Sequence, residues 1–431
     1  MSVPAELSYN TPTYPTPVVL KRSVFRMRNS ATDVGISNGS LNNRIEYRIN
    51  TRTFIDLKTM MFRVKITPSN TVTKEGLLSM YNIFDEITLR NESGTIIERL
   101  DDAATIAQIL LNLYASNDHL DTVGSFSNAT YNRKVNPIKE GTYYSLPLFR
   151  LLGFFRTGKI IRPSTFGGLY LQLRLATQTQ VVSADKAADP NPNEETYSFS
   201  EMDLFFDECL VDQSYEEYYN TNYDTRGFRL DINTFDHVNV TLNDTRNTSE
   251  RVVRLPFSVT NCLALISVLR RVDSKTSSVN NYRTFIPPTE NFHYQYVNEG
   301  QRYPQVRVEN HERAYEEVLK LTRSNRGFVS QNLINRHNFT TLLPYEGDSN
   351  GQVSTFMFIA HLEKMLGSNY TGIPLDSNSC ALEIQSNVIN ALDANNAVLN
   401  EGVGVGSLMI DAFAYYISSV YVMNGQVTVS K

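Results

Sequence analysis

The feature that most limits the fold of this 431-residue chain is that the plan of its first half is written again in its second. "RIEYRI" from Arg44 has a counterpart in "RVVRL" from Arg251, with Ile45 matching Val252 at a spacing of 207. "LKTMMFRVKI" from Leu57 is matched by "CLALISVLRR" from Cys262. In the first of each pair Ile45, Tyr47 and Ile49, then Phe62, Val64 and Ile66, alternate with Glu46, Arg48, Arg63 and Lys65. A period of two is the mark of half-buried strands. Next come two hairpins, "FDEITLRNESGTIIERL" and "HYQYVNEGQRYPQVRVEN", whose turns align Asn91 with Asn298, again 207 apart. Each hairpin leads into a helix. Ile106, Ile109, Leu110, Leu113 and Tyr114 share one helical face behind the Asp101–Asp102 pair, as Ala314, Val318 and Leu321 do behind Asn310. The later strands align Leu171 with Leu382 and Met202 with Phe413, both at 211. One order of elements at a nearly constant offset, present twice, predicts duplicated domains; a solenoid needs three or more units.

The length suits two domains of roughly 200 residues. Polar and turn-forming residues break the pattern over 212–227, so the expected division is an arm at 1–20, a first domain at 21–215 and a second at 216–431. Long stretches without either period, 116–140, 177–196 and 323–352, read as exposed loops. The class is all-β: two tandem eight-stranded antiparallel jelly rolls with short inserted helices. The pattern leaves open which strands pair. Residues 1–20 carry four prolines and few large apolar side chains, which favours an extended arm over a helix or central strand.

A net charge of −5, with no basic run longer than a pair, argues against a nucleic-acid footprint, so no specific nucleic-acid binding is expected. Cys209, Cys262 and Cys380 are odd in number and isolated, which fits buried thiols in a reducing compartment. The N-terminal sequence lacks a charged start followed by an apolar core, and "AFAYYISSVYVM" from Ala412 is too short to span a bilayer, so neither a secretory signal nor a membrane span is expected. Asn-x-Ser/Thr triplets at Asn38, Asn91, Asn128, Asn239, Asn243, Asn247, Asn338 and Asn369 are read as unglycosylated products of an Asn- and Thr-rich composition. With 24 Tyr, 22 Phe and no Trp, the aromatics suit strands and interfaces, and the Tyr-rich "EEYYNTNY" and "FAYYISSVY" are expected to serve subunit contacts.

Catalytic chemistry is not expected. His119, His237, His293, His311, His337 and His361 form no metal-binding spacing. Gly402, Gly404 and Gly406 depart from the dinucleotide-binding spacing and read as a loop into the last strand. Glu201, Asp203 and Asp207 fall opposite Met202, Leu204, Phe206 and Glu208 and read as a solvated strand face, and Glu312, Glu316 and Glu317 read as a solvated helix face, not as glycosidase carboxylates. No catalytic, cofactor-binding or metal residue is assigned, and no cofactor.

The doubled plan resembles the double jelly-roll major capsid proteins, the group of adenovirus hexon and tectivirus coat proteins together with those of virophages, polinton-like viruses and large nucleocytoplasmic DNA viruses. The resemblance covers nearly the whole chain. "YYSLPLFRLLGFFRTGKIIRPSTFGGLYLQLRLA" (143–176) is similar to the family's Leu-Pro-Leu segment and its Pro-containing link into an alternating strand. "LPFSVTNCLALISVLRR" (255–271) is similar to a strand of the second roll, and "YNIFDEITLRNESGTIIERL" to the hairpin before the first-roll helix. A Cys-Arg-Asp-Pro-Gly segment associated with the large-virus members is absent, and Leu265 and Ser267 stand where aromatics are common, which with the modest length points to the polinton-like or virophage side. The resemblance implies a structural, non-enzymatic role: a homotrimer forming a pseudo-hexagonal capsomer of an icosahedral DNA-virus shell. Its partners would be neighbouring capsomers, penton and minor capsid proteins and, through the arm, an internal membrane. The chain would be made in host cytoplasm or nucleus and reside in the virion capsid. The alternatives are a jelly-roll carbohydrate-binding protein, a jelly-roll glycoside hydrolase, and a minor capsid or spike protein.

Overall fold

The structure is a computed structural model. It describes residues 19–28, 34–36, 44–68, 76–77, 80–114, 136–137, 142–176, 182–183, 197–242, 250–272, 285, 288, 292–322, 334, 339, 343–344, 352–353, 355–363, 372–386 and 408–431. Outside them fall nearly all of the proposed arm, most of the three long loops, His119, His337 and the Gly402–Gly406 run.

The first jelly roll is built from β1 (Val19–Arg28), β2 (Arg44–Ile49), β3 (Phe54–Pro68), β4 (Phe84–Asn91), β5 (Ile96–Asp101), helix α1 (Ala103–Tyr114), β6 (Thr142–Pro147), the single turn α2 (Gly153–Arg156), β7 (Ile160–Ile161), β8 (Leu169–Leu175) and β9 (Tyr197–Val211). Helix α3 (Gln213–Tyr219) leads out of it. The second consists of β10 (Phe228–Leu242), β11 (Arg251–Arg254), β12 (Val259–Arg271), β13 (Phe292–Asn298), β14 (Gln301–Val308), α4 (His311–Thr322), β15 (Phe358–His361), β16 (Ile373–Leu375), β17 (Ala381–Ser386), β18 (Leu408–Met423) and β19 (Gln426–Ser430).

The sheet orders repeat. One sheet of the first roll runs β1-β9-β3-β7 with β6 also on β3, and the other β2-β8-β4-β5. The second roll has β10-β18-β12-β15 with β16 also on β12, and β11-β17-β13-β14. The first-named sheet of each roll has one further strand on its long counterpart strand, Val34–Ile36 beside β9 in the first roll and β19 beside β18 in the second. The long-range order is thus the same twice, and it yields the pairing that alternation alone left open.

Register shows where the sequence alignment holds and where it slips. Leu171 lies opposite Leu89 and Tyr47, and Leu382 opposite Tyr296 and Val253. Leu89 to Tyr296 keeps the expected 207, but Tyr47 to Val253 is 206. The match of Ile45 with Val252 is therefore one residue out: Ile45 is buried whereas Val252 is 64% exposed. A slip of one residue exchanges the two faces of a strand, and the short, Arg-flanked "RVVR" carries too few apolar residues to fix its own phase.

The turns and caps follow from their residues. In the β4–β5 turn the Asn91 carboxamide accepts from the Thr95 N–H at 2.8 Å and the Ser93 hydroxyl at 2.8 Å. In the β13–β14 turn Glu299 and Gly300 both have positive φ, 50° and 75°, the requirement of a two-residue type I′ turn. Asn310 caps α4 by accepting from the Arg313 N–H at 2.8 Å. Helix α1 buries Ile106, Ile109, Leu110 and Leu113 as expected, while Tyr114 is 42% exposed.

The segment between the rolls is more ordered than its polar composition predicts. Asp212 caps α3 by accepting from the Ser214 N–H at 3.0 Å, and Tyr219 packs edge-on against Phe54 with centroids 4.9 Å apart. Asp224 then accepts from Thr165 at 2.7 Å and pairs with Arg162, fastening the connection to the first roll. The tyrosines of "EEYYNTNY" are therefore mostly engaged within the chain, as are the buried Tyr415 and Tyr416. Tyr218 and Tyr421 of the same two stretches stay exposed, at 37% and 45%. No helix among the described residues is long and apolar enough to cross a membrane.

Candidate functional site

The two rolls meet through β5 and α2 of the first and β10 of the second. Three rings cross the boundary, Phe154 to Phe166 at 5.5 Å and Phe166 to Phe228 at 5.8 Å, and one apolar core runs through both rolls. Gly153 is needed for the approach, since a Cβ there would lie 2.0 Å from the Asn233 carbonyl oxygen. The same carbonyl accepts from Arg156 Nη2 at 2.9 Å. Glu98 on β5 holds α2 in place, its two carboxylate oxygens accepting the Gly153 and Phe154 N–H groups at 2.8 Å each. Burial raises the Glu98 pKa against the opposing pull of those N–H groups.

Deeper in the junction lies a buried charge cluster. Arg270 on β12 donates to Asp411 on β18 through Nε at 2.8 Å and to Asp102, just before α1, through Nη2 at 2.8 Å. Its side chain and that of Asp411 have no exposure. His237 on β10 stands 3.0 Å from Asp411 Oδ1, stacked on Phe413, and the Asn239 amide donates to the same oxygen at 2.6 Å. Burial works to raise the Asp411 pKa, but the Arg270 guanidinium and the His237 contact hold it below the usual carboxylate value. Asp102, His237 and Asp411 are the one set of three metal-capable side chains brought together among the described residues. Arg270 already supplies the positive charge there, and the cluster works as an ionic tie between the rolls.

Sequence reading missed this cluster because its members are 102, 237, 270 and 411 along the chain and no motif links them. Other candidates are placed as follows. Asp203, expected on a solvated face, is fully buried beneath Arg26 at 2.6 Å and Arg63 at 3.4 Å. Glu201 accepts from the Tyr143 hydroxyl at 2.7 Å, with a bulge between Ser200 and Asp203 turning the strand there, and Asp207 pairs with Arg22 at 3.6 Å. Glu317, also expected in solvent, is buried and paired with Lys320 at 2.5 Å, while Glu316 remains outside with Arg313. In both corrections a basic residue one strand or one helical turn away supplies the compensation that burial of a carboxylate demands. His293 and His361 each face a carboxylate, Glu250 at 3.5 Å and Glu363 at 3.4 Å, and His311 faces the Pro288 carbonyl at 3.0 Å. The three cysteines are buried and free, and burial pushes the Cys380 thiol up to about 12. Of the Asn-x-Ser/Thr sites, Asn91 is buried and the amide of Asn239 is held by Asp411.

The faces used inside the chain recur bare at its two outer sides. In the first roll, β5 is covered by the second roll and buries Ile97, Glu98 and Leu100, whereas its counterpart β14 is largely exposed, with Val306 at 66%. In the second roll, β10 is half-buried against the first, whereas its counterpart β1 is largely exposed, with Val24 at 72%.

These features define a double jelly-roll chain whose rolls are joined by a shared core and a buried ionic tie. No protein-family model matches the sequence, and no curated protein does. Solved structures do. The chain is similar to the PBCV-1 capsid chain, with a TM-score of 0.61 at 10% identity over 98% of this chain and 100% of that one. It is similar to a chain of the Sputnik virophage, with a TM-score of 0.60 at 11% identity over 100% of this chain and 92% of that one. The mavirus major capsid protein matches with a TM-score of 0.54 at 8% identity, covering 100% and 95%. The fold is that of the double jelly-roll major capsid proteins.

Proposed function

We propose that this chain is a major capsid protein of a DNA virus, a structural and non-enzymatic subunit that forms homotrimers of pseudo-hexagonal outline. The observation that carries the reading is the repeated face. Inside the chain β5 of one roll packs on β10 of the next, and the equivalent surfaces, β14 behind and β1 in front, are left bare. A heterologous contact that is used once and offered again at both ends propagates until the ring closes. Three chains of two rolls supply six positions, and β14 of each chain then meets β1 of its neighbour. Residues 21–215 and 216–431 form the two rolls, the first of which already begins at Val19 in β1, and the residues before it form the arm that orders against a neighbouring capsomer, a minor capsid or penton protein, or an internal membrane.

Sedimentation and electron microscopy of the purified full-length protein test the reading. The expected result is a stable trimer seen as triangular or hexagonal particles, since obligate contacts bury on the order of 2,000–5,000 Å². A persistent monomer at micromolar concentration would overturn it.

A further inference from the structure

A cavity of about 640 Å³ opens between the rolls, within the usual range of small-molecule sites of roughly 300–1,000 Å³. Its walls come from both halves: Leu110 and Leu111 of α1, Phe155 of α2, Leu263 of β12 and Leu321 of α4. Three cations border this apolar space, Lys58, Arg150 and Arg156, against one carboxylate, Glu363, which stands 3.4 Å from His361 Nε2. Lys58 and Arg150 are positioned by packing, and Arg156 by a backbone carbonyl beside the buried Glu98. The Lys58 stem lies over Gly158, where a Cβ would come within 2.1 Å of Lys58 Cε. Arg150 stacks on Phe149 at 5.1 Å. Arg156 is held by the Asn233 carbonyl, with Glu98 behind it, and its Nε is buried without a hydrogen-bond partner. Among the described residues none of the three makes an ion pair.

We propose that this cavity is a binding site for a single-chain amphipathic anion, an acyl chain carrying a carboxylate or phosphate head. The chain lies against the leucines and Phe155, and the head meets Lys58, Arg150 and Arg156. Apolar burial supplies affinity, and the charge excess selects the sign of the head. A ligand seated there touches both rolls at once and stabilises their junction by mass action. The inference does not depend on the capsid reading, since every lining residue belongs to one chain.

The test uses the full-length protein with dodecanoate, dodecyl phosphate and dodecyltrimethylammonium, each below its micelle concentration, read by native mass spectrometry and by melting temperature. Both anions are expected to bind saturably, one per chain, and to raise the melting temperature, while the cation of equal chain length does neither. Lys58 and Arg150 are surface residues, so the double variant Lys58→Glu/Arg150→Glu should fold normally and bind the anions at least about tenfold more weakly. Leu111→Trp, which narrows the cavity from a half-buried position, should weaken them without altering the preference for sign. Organic extraction of the protein as purified separates the sources: a free fatty acid or an acyl phosphate lipid supports the site, and a neutral or cationic amphiphile overturns it. Equal binding of both head charges, binding of many molecules per chain, or undiminished binding in both variants would also overturn it.

Discussion

Arg270 Nη2 lies 2.8 Å from Asp102 Oδ2, and this contact joins the second roll to the first with both side chains sealed from solvent. Asp411 shares the same guanidinium, so the arginine balances two carboxylates at once. Removing it takes the guanidinium from both buried carboxylates, leaving Asp411 with His237 and Asn239 and Asp102 with the Thr105 hydroxyl. Arg270→Leu is expected to cost about 3–5 kcal/mol in chemical denaturation. Adding Asp102→Asn should recover part of that loss, because the pair is coupled; strictly additive losses would show that the tie does not exist.

Gly153 offers a steric test of the same boundary. Gly153→Ala places a methyl group 2.0 Å from the Asn233 carbonyl, backbone against backbone, with no flexible side chain to yield. The expected loss is about 1–3 kcal/mol, read as a lower melting temperature, with the loss larger for Gly153→Val. A variant as stable as the parent would mean that the rolls are looser than the contact implies.

His361 gives a pH dependence. Burial lowers its pKa below the usual 6.5, outweighing the attraction of Glu363 and Glu317, while Lys320 adds to the lowering. The unfolded chain therefore takes up the proton first as pH falls. The contribution of His361 to stability is full above 6.5 and is lost as the pH drops through the lowered folded value. Denaturation midpoints should decline on acidification from neutral pH, and His361→Gln should flatten that decline; an unchanged slope in the variant would assign the acid sensitivity to other groups.

Val24 and Val306 test assembly separately from folding. Each projects outward, on β1 and β14 respectively. Val24→Asp and Val306→Asp are expected to leave the monomer's unfolding free energy within about 0.5 kcal/mol of the parent, as for other surface changes, and to shift the trimer to monomer in sedimentation. Trimers of unchanged strength in both variants would place the contact on other strands.

Deletion of residues 2–16 probes the arm. Trimers and their melting temperature should be retained while closed shells fail to form in an assembly reaction. Normal shells from the shortened protein would remove the arm from assembly, and loss of the trimer would move it into the roll.

The strands were legible wherever alternation is long. β8 buries Leu169, Leu171, Leu173 and Leu175 in strict succession, as its sequence reads. The four-residue β11 was not, because two central valines satisfy either phase, and only the ladder to β17 decides between Val252 and Val253. Charged residues were the weaker part of the reading. Asp203 and Glu317 look solvated along their own elements, and what buries them is an arginine on another strand or a lysine a turn away. The Arg270 cluster was illegible for the same reason, since buried charges are specified by partners distant in sequence.

The connection that leaves the first roll is tied back to it by Asp224, and the rolls beyond it share one core. Such a subunit bends little at its middle. In the proposed shell, then, the flat facets and the sharp angles between them cannot come from one chain adjusting its own shape. Curvature would then be taken up in the contacts between capsomers.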